Sequence, residues 1–326
     1  MKFRKFSNLG WNVSEVGLGC WAIGSEWGDV SDSDAREVLK TSLDKGINFF
    51  DTADVYGDGR SEKFVGELIK STSEKIYVAT KSGRRLDPHT ADGYNLKNIE
   101  AFIDRSLSNL GVDCIDLLQL HCPPSEICPK TETYEMMDEI IKKGKIAHYG
   151  VSVEKVSEAM DAIQFPNVKS IQIIFNIFRQ KPSEIFFKEA AKKNVAIIVR
   201  VPLASGLLTG KMNKDSIFPK NDHRNYNING DAFDIGETFS GVNFEKGLEA
   251  VHRLKDILPT GFSLTDMALK WILTHEEVTV VIPGAKNSKQ AENNVLASEK
   301  NNISEIISNI NQVYEDLIEP HVKDRW

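Results

Sequence analysis

Cysteine is scarce in this sequence, with four in 326 residues. A disulfide-built scaffold needs far denser cysteine and is excluded. No apolar run reaches the roughly 18 residues that cross a bilayer. The opening stretch MKFRKFSNLGWN carries charge but no apolar h-region, so neither a membrane span nor a signal peptide is expected. No Lys/Arg stripe runs along the chain, and 40 basic against 47 acidic residues leave a net charge of −7. A nucleic-acid partner held by counterion release is therefore not expected. Low-complexity segments are missing too. What remains is ordinary globular composition, 41% hydrophobic and 27% charged. Reduced thiols make a cytoplasmic protein the simplest expectation.

One rhythm repeats along the chain: a short β-branched or aromatic run, a loop, then an amphipathic helix. The strand candidates are Glu15–Gly19, Asn48–Asp51, Ile76–Lys81, Ile115–His121, Ile146–Val151, Ser170–Ile174, Val195–Val199 and Val278–Ile282. Helix candidates fall between them at Ser33–Lys45, Ser61–Lys70, Leu96–Leu110, Thr131–Lys143, Glu154–Ile163, Pro182–Lys193, Ser263–His275 and Ser288–Ala297. Their ends carry local signals. Ser31 to Asp34 offer N-cap side chains, Gly46 and Gly144 stand where helices should stop, and Pro182 suits a first helical turn. Alternation of this kind means βαβ units and a parallel sheet, and eight units favour a closed (β/α)8 barrel over an open doubly wound sheet. One barrel takes about 250 residues, so the reading is a single domain over 1–326, with the excess outside the rhythm. A polar stretch at 206–243 reads as a long loop after strand seven. Phe244–Leu258 and Ile303–Leu317 read as extra outer helices. Phe3–Phe6 and Trp11–Ser14, either side of an Asn/Gly-bearing linker, read as a hairpin capping the barrel bottom.

In a parallel barrel the C-terminal strand ends share one mouth. Strand two ends in Asp51, strand three in Lys81 and strand four in His121, so these three should meet there, with Tyr56 leaning in from the loop after Asp51. A Lys ammonium beside a phenol favours the phenolate and makes Tyr56 a better proton donor. Asp51 would keep Lys81 charged, and His121 could orient a carbonyl oxygen. That is a general-acid site suited to protonating an oxygen as charge develops on it. Carbonyl reduction by hydride has this need, and also needs a nicotinamide, because no side chain supplies hydride.

The run Gly46-Ile47-Asn48-Phe49-Phe50-Asp51-Thr52-Ala53-Asp54-Val55-Tyr56-Gly57 resembles the signature of the aldo-keto reductases. So do Thr80-Lys81, Gln119-Leu120-His121, Gly144-Lys145-Ile146, Gly150-Val151-Ser152 and Val281-Ile282-Pro283-Gly284-Ala285-Lys286. The likeness runs in order from about residue 3 to residue 297, in the style of the bacterial branch. It implies Tyr56 as general acid, Lys81 lowering its pKa, Asp51 holding Lys81, and His121 positioning the carbonyl. Ser152 and Gln172 would hold the nicotinamide carboxamide, and Gly19, Cys20 and Trp21 would line the mouth. Pro202, Leu203 and Ser205 would cover the pyrophosphate. Gly284, Ala285 and Lys286 would meet the adenosine phosphate, with Gln290 and Asn294 on the following helix. A Lys beside a helix N-terminus suits a 2′-phosphate, favouring NADP(H). Three positions depart from the family pattern. Val153 replaces a frequent Asn. Arg200 replaces a frequent aromatic, and its guanidinium plane is expected to stack on the nicotinamide instead. Gln290 replaces an Arg, which leaves NAD(H) open.

Other readings attach to the same residues. Asp51 and Lys81 alone could be a structural ion pair. His121, Cys122 and Cys128 lack the spacing of a metal site, so no metal is expected. Gly17-Leu18-Gly19-Cys20-Trp21-Ala22 matches a weak dinucleotide pattern, but a Rossmann unit needs a helix to start there, and the next helix is expected only at Ser33. Trp21 and Trp27, on βα loops, should wall a substrate pocket with the Tyr56 ring and His121. The resemblance implies a small carbonyl compound as substrate, its choice expected to be set by loops 21–30, 84–94, 122–130 and 206–243. An NAD-dependent sugar dehydrogenase and a cofactor-sensing regulatory subunit are the rival functions. Oligomeric state is open.

Overall fold

A computed structural model of the chain describes residues 1–24 and 26–326. Strands β1 (Phe3–Phe6) and β2 (Trp11–Ser14) pair antiparallel, from Phe3 opposite Ser14 to Phe6 opposite Trp11. Eight parallel strands follow in sequence order: β3 (Leu18–Gly19), β4 (Phe49–Asp51), β5 (Tyr77–Ser82), β6 (Ile115–His121), β7 (Ile146–Ser152), β8 (Val168–Ile174), β9 (Ala196–Arg200) and β10 (Val278–Val281). The first meets the last. Gly17 N–H donates to Val281 O (2.8 Å), Gly19 N–H to Pro283 O (3.1 Å), and Val281 N–H to Glu15 O (2.9 Å). A barrel results, as expected. The seam is glycine because the backbones approach closely. A Cβ on Gly17 would lie 2.9 Å from Phe49 O, and one on Gly19 only 2.8 Å from Ile282 O.

The helices are α1 (Trp21–Gly24), α2 (Asp32–Asp44), α3 (Arg60–Ser71), α4 (Leu96–Leu110), α5 (Thr131–Lys142), α6 (Val156–Ala162), α7 (Phe186–Lys192), α8 (His223–Tyr226), α9 (Phe244–Asp256), α10 (Leu264–Leu273), α11 (Ser288–Glu299), α12 (Ile307–Leu317) and α13 (Glu319–Val322). Ser31 caps α2 by accepting from Asp34 N–H (3.1 Å), and Gly46 closes it at φ +87 with its N–H on Leu43 O (2.8 Å). Two expectations need correction. Pro182–Lys193 is not one helix: a 3-10 turn at Lys181–Ser183 is separated from α7 by Ile185 at φ −128. The break exposes Ile185 and lets Phe186 and Phe187 both face the core. The stretch after β3 is not all loop either, since α1 gives one helical turn that stops at Gly24. Four residues do not make the helix that a Rossmann unit requires.

Inside the barrel, Phe6 and Val13 of the hairpin join Phe49, Tyr77, Ala79, Leu117, Ala196, Ile198, Val280 and Ile282 in one apolar cluster. Phe6 stacks on Phe49 (5.5 Å between centroids) and Trp11 on Tyr77 (4.6 Å). The bottom is therefore plugged with side chains, and polar groups collect at the other end. No helix among the described residues is long and apolar enough to cross a membrane.

Candidate active site

Asp51, Lys81 and His121 lie at the C-terminal ends of adjacent parallel strands, which places them on one rim. Tyr56 reaches the same rim because Gly24 admits its loop, where a Cβ would lie 2.8 Å from the Tyr56 carbonyl carbon. Lys81 Nζ donates to Asp51 Oδ1 (2.5 Å), Thr52 O (2.9 Å) and Tyr56 Oη (3.2 Å). All three ammonium protons are thereby used. Because Lys81 donates to the phenol oxygen, the phenol's own proton is left to point elsewhere. The second Asp51 oxygen accepts from Gln119 Nε2 (2.9 Å) and Gln172 Nε2 (2.7 Å), and Gln172 also donates to Gln119 Oε1 (3.1 Å). The Lys81 and Asp51 side chains are 0% and 3% exposed, so this ion pair is shielded from solvent.

Burial disfavours the charge on Lys81, but Asp51 and Tyr56 more than offset it and hold the ammonium above its usual range. Burial pushes the Tyr56 phenol up to about 12, and Lys81 pulls it down without reversing that. The expected lowering is thus only the smaller of two opposing effects. Burial, then the charges of Arg84 and Lys81, hold His121 well below its ordinary value, so its imidazole is neutral. Its ring meets Tyr56 edge-on at 5.9 Å. Asp54, two residues before Tyr56, is fully buried, and neither of its carboxylate oxygens has a hydrogen-bond partner among the described residues. Burial and then Glu62 push it up to about 8.

A cavity of about 360 Å³ extends from this rim. Asp51, Tyr56, His121, Trp21 and Trp27 line it, as do Gly19, Gln172, Arg200, Pro202, Leu203, Ser205, Gly284, Ala285, Lys286, Gln290 and Asn294. Trp21 stacks on Tyr56 at 5.9 Å and meets Trp27 edge-on at 5.5 Å. Two expected lining residues are not on the wall. Cys20 turns its side chain into the apolar core, with Gly19 facing the cavity, and Ser152 is buried beside Cys122. Gln172 lines the cavity but spends its amide on Asp51. Lys286 Nζ reaches across to Trp27 O, and Lys286 N–H donates to Gln290 Oε1 (2.8 Å). Asn294 Nδ2 donates to Gly284 O (3.1 Å).

Several wall residues carried no sequence expectation: Lys211, Arg224, Glu237, Thr265 and Asn293. Lys211, Arg224 and Glu237 lie on the 206–243 loop, which carries no periodic pattern to place them. Gln119 could have been found, since it stands two residues before His121 on the same strand face.

Arg200 sits in a buried charge cluster. Its Nη2 lies 2.8 Å from Glu154 Oε1 and donates to Val153 O (3.1 Å), and its Nη1 is 3.6 Å from Glu237 Oε2. Arg84 Nη2 donates to Glu237 Oε1 (2.5 Å). Burial opposes the charge on Glu237, but the two guanidiniums hold it well below the usual carboxylate range; burial pushes Glu154 up to about 7. Cys122, Glu154 and Glu237 come within 4.8 Å of one another, and guanidiniums supply the positive charge there. Cys128 is not among them.

The sequence model of the Aldo/keto reductase family matches residues 15–315. The chain is 32% identical over 303 residues to Aldo-keto reductase YhdN of Bacillus subtilis, covering 90% of this chain and 87% of that protein. Among solved structures it is similar to the holo form of aldo-keto reductase AKR11C1 from Bacillus halodurans. That match has a TM-score of 0.76 and 28% identity, over 98% of this chain and 96% of the other. The glycerol dehydrogenase AKR11B4 from Gluconobacter oxydans matches with the same TM-score, identity and coverage.

Proposed function

The chain belongs to the aldo/keto reductase family and is an NAD(P)H-dependent oxidoreductase, and on that premise we propose that its cavity reduces an aldehyde or ketone to the alcohol, reversibly, with NADPH preferred. The observation that carries this reading is the Lys81 ammonium, 3.2 Å from Tyr56 Oη and paired with Asp51.

The nicotinamide, when bound, supplies a hydride for the carbonyl carbon. Tyr56 donates its phenolic proton to the carbonyl oxygen as negative charge builds there. Lys81 stabilises the tyrosinate left behind, which regains its proton from solvent. Asp51, fixed by Gln119 and Gln172, keeps Lys81 charged and aimed. Neutral His121 faces the same space and orients the carbonyl oxygen. Trp21 and Trp27 keep water from the reacting atoms.

The donor set suits a dinucleotide. Arg200 to Ser205 and Gly284 to Asn294 line the same cavity as Tyr56, with Lys211, Arg224 and Lys286 offering cations to phosphate groups. The N-terminus of α11, beside Lys286, adds its dipole. Gln290 favours a relaxed preference, since its amide oxygen serves Lys286 N–H and brings no charge to a 2′-phosphate. An oxidative direction on polyols is the second reading, supported by the likeness to the glycerol dehydrogenase. Four free cysteines suit a reducing cytoplasm.

NADPH consumption against sugars, glyoxals, pyridoxal and aromatic aldehydes, with binding of NADPH and NADH compared, tests the proposal. Turnover of a carbonyl with tighter NADPH binding is expected. Tight cofactor binding without turnover of any compound would overturn it in favour of a regulatory subunit.

A further inference from the structure

Glu237 forms part of the cavity wall, yet it stands on an irregular stretch. The 3-10 turn Ile235–Glu237 lies in the long loop, with neither strand nor long helix to hold it. The indole of Trp326, 7% exposed and not part of the cavity lining, packs against it. Its Nε1 donates to Asp234 Oδ1 (3.2 Å), the atom that also accepts Gly236 N–H (2.7 Å) and caps the turn. Its ring rests on bare backbone on either side of Glu237. A Cβ on Gly236 would lie 2.9 Å from the ring, and one on Gly241 only 2.3 Å. The Arg179 guanidinium lies over the indole at 3.8 Å and its Nη1 also reaches the Gly236 position, and Arg325 Nη1 donates to Gly241 O (2.9 Å).

We propose that Trp326 is a positioning residue for the active-site cavity: it wedges the turn so that the Glu237 carboxylate stands between Arg84 and Arg200 on the substrate side of the wall. The inference rests on reading this cavity as the carbonyl-reducing site. The turn is also tied to the neighbouring wall, because Ser205 Oγ donates to Glu237 O (2.9 Å) and accepts Phe239 N–H (3.0 Å). With the ring in place, Glu237 and both guanidiniums are fixed before substrate arrives. With it gone, the turn keeps the Arg325 and Ser205 hydrogen bonds but loses the ring packed against Gly236 and Gly241. The carboxylate then samples other positions, and each productive encounter must first restore one geometry. The loss falls on substrate binding, because Trp326 touches neither the strand ends that carry Asp51 and Lys81 nor the loop after Asp51 that carries Tyr56.

The test compares Trp326→Ala, Trp326→Phe and Asp234→Ala with the parent protein. Two readouts are used: NADPH-dependent reduction of 4-nitrobenzaldehyde, and amide hydrogen exchange of residues 235–241. Trp326→Ala is expected to raise KM at least fivefold with kcat within twofold, and to speed exchange in that segment at least tenfold. Trp326→Phe, which refills the slot with a ring, is expected to stay within twofold of the parent in both. Asp234→Ala removes the indole's acceptor from a partly exposed position, and should reproduce the KM rise even where Trp326→Ala does not fold. Unchanged KM in folded Trp326→Ala or in Asp234→Ala overturns the inference. If the parent protein does not reduce the aldehyde, the reading of the cavity is what fails. Exchange then decides on the wedge alone, and unchanged rates at 235–241 overturn it.

Discussion

The ammonium of Lys81 lies 3.2 Å from the hydroxyl of Tyr56 and donates to its oxygen, which leaves the phenol proton facing away from the ion pair. On the proposed mechanism, the buried cation would support a tyrosinate without competing for the proton to be transferred. If this proton is the one delivered to the carbonyl oxygen, Tyr56→Phe should lower kcat by about 10²–10⁴-fold. Cofactor affinity should stay close to the parent value in a fluorescence titration. Retained turnover in this variant would remove Tyr56 from the mechanism.

Lys81 and Asp51 neutralise each other out of water. Removing one partner of such a pair strands the other, at about 3–5 kcal/mol. Lys81→Met is therefore expected to lose roughly that much stability in urea unfolding. The double variant Lys81→Met/Asp51→Asn should lose less than the two single losses added together. Strict additivity would mean that the pair is not coupled in the folded protein.

Asp54 links stability to pH. Its folded value is raised to about 8 from an ordinary 3.8, so the unfolded chain gives up this proton first as pH rises. Stability from this group is fully present below about pH 4 and falls as pH climbs towards 8, by up to about 1.4 kcal/mol per pH unit. Asp54→Asn should flatten that slope. Denaturant midpoints measured from pH 4 to pH 8 are the check, and an unchanged slope in the variant would count against an unpaired Asp54.

Lys286 is the cation beside the N-terminus of α11. Lys286→Ala should weaken NADPH binding by about 10- to 100-fold, the worth of a charge-assisted hydrogen bond of roughly 1.5–3 kcal/mol. NADH binding should change little. Equal weakening of both cofactors would place Lys286 away from the 2′-phosphate.

Gly19 sits at the barrel seam, where a Cβ would meet the backbone oxygen of Ile282 at 2.8 Å. Backbone on both sides cannot yield as a flexible side chain would. Gly19→Ala should cost about 1–3 kcal/mol of stability, as overpacking does, and thermal melting would report it.

Much of this protein could be read along the chain. Ile115–His121 and Leu96–Leu110 have the same limits in the sequence and in the structure. The expected hairpin also forms as read. Periods of 2 and 3.6 and the capping signals at Ser31 and Gly46 act within a few residues, so they are legible there. The parallel-barrel rule then carries Asp51, Lys81 and His121 to one rim, because strand ends in such a barrel share a face.

Tertiary structure decided what depends on residues distant in sequence. It turned Cys20 into the core, set Gln172 on Asp51, and surrounded Arg200 with Glu154 and Glu237. It also made burial outweigh Lys81 at the Tyr56 phenol. Trp326 came to rest behind a turn some ninety positions earlier, and nothing in its local sequence marks that contact. Local periodicity chose the elements and the order of the strands. The energies of buried charges, and the packing of loops that have no period, were fixed only once the barrel had closed and the ion pairs at its rim had been taken out of water.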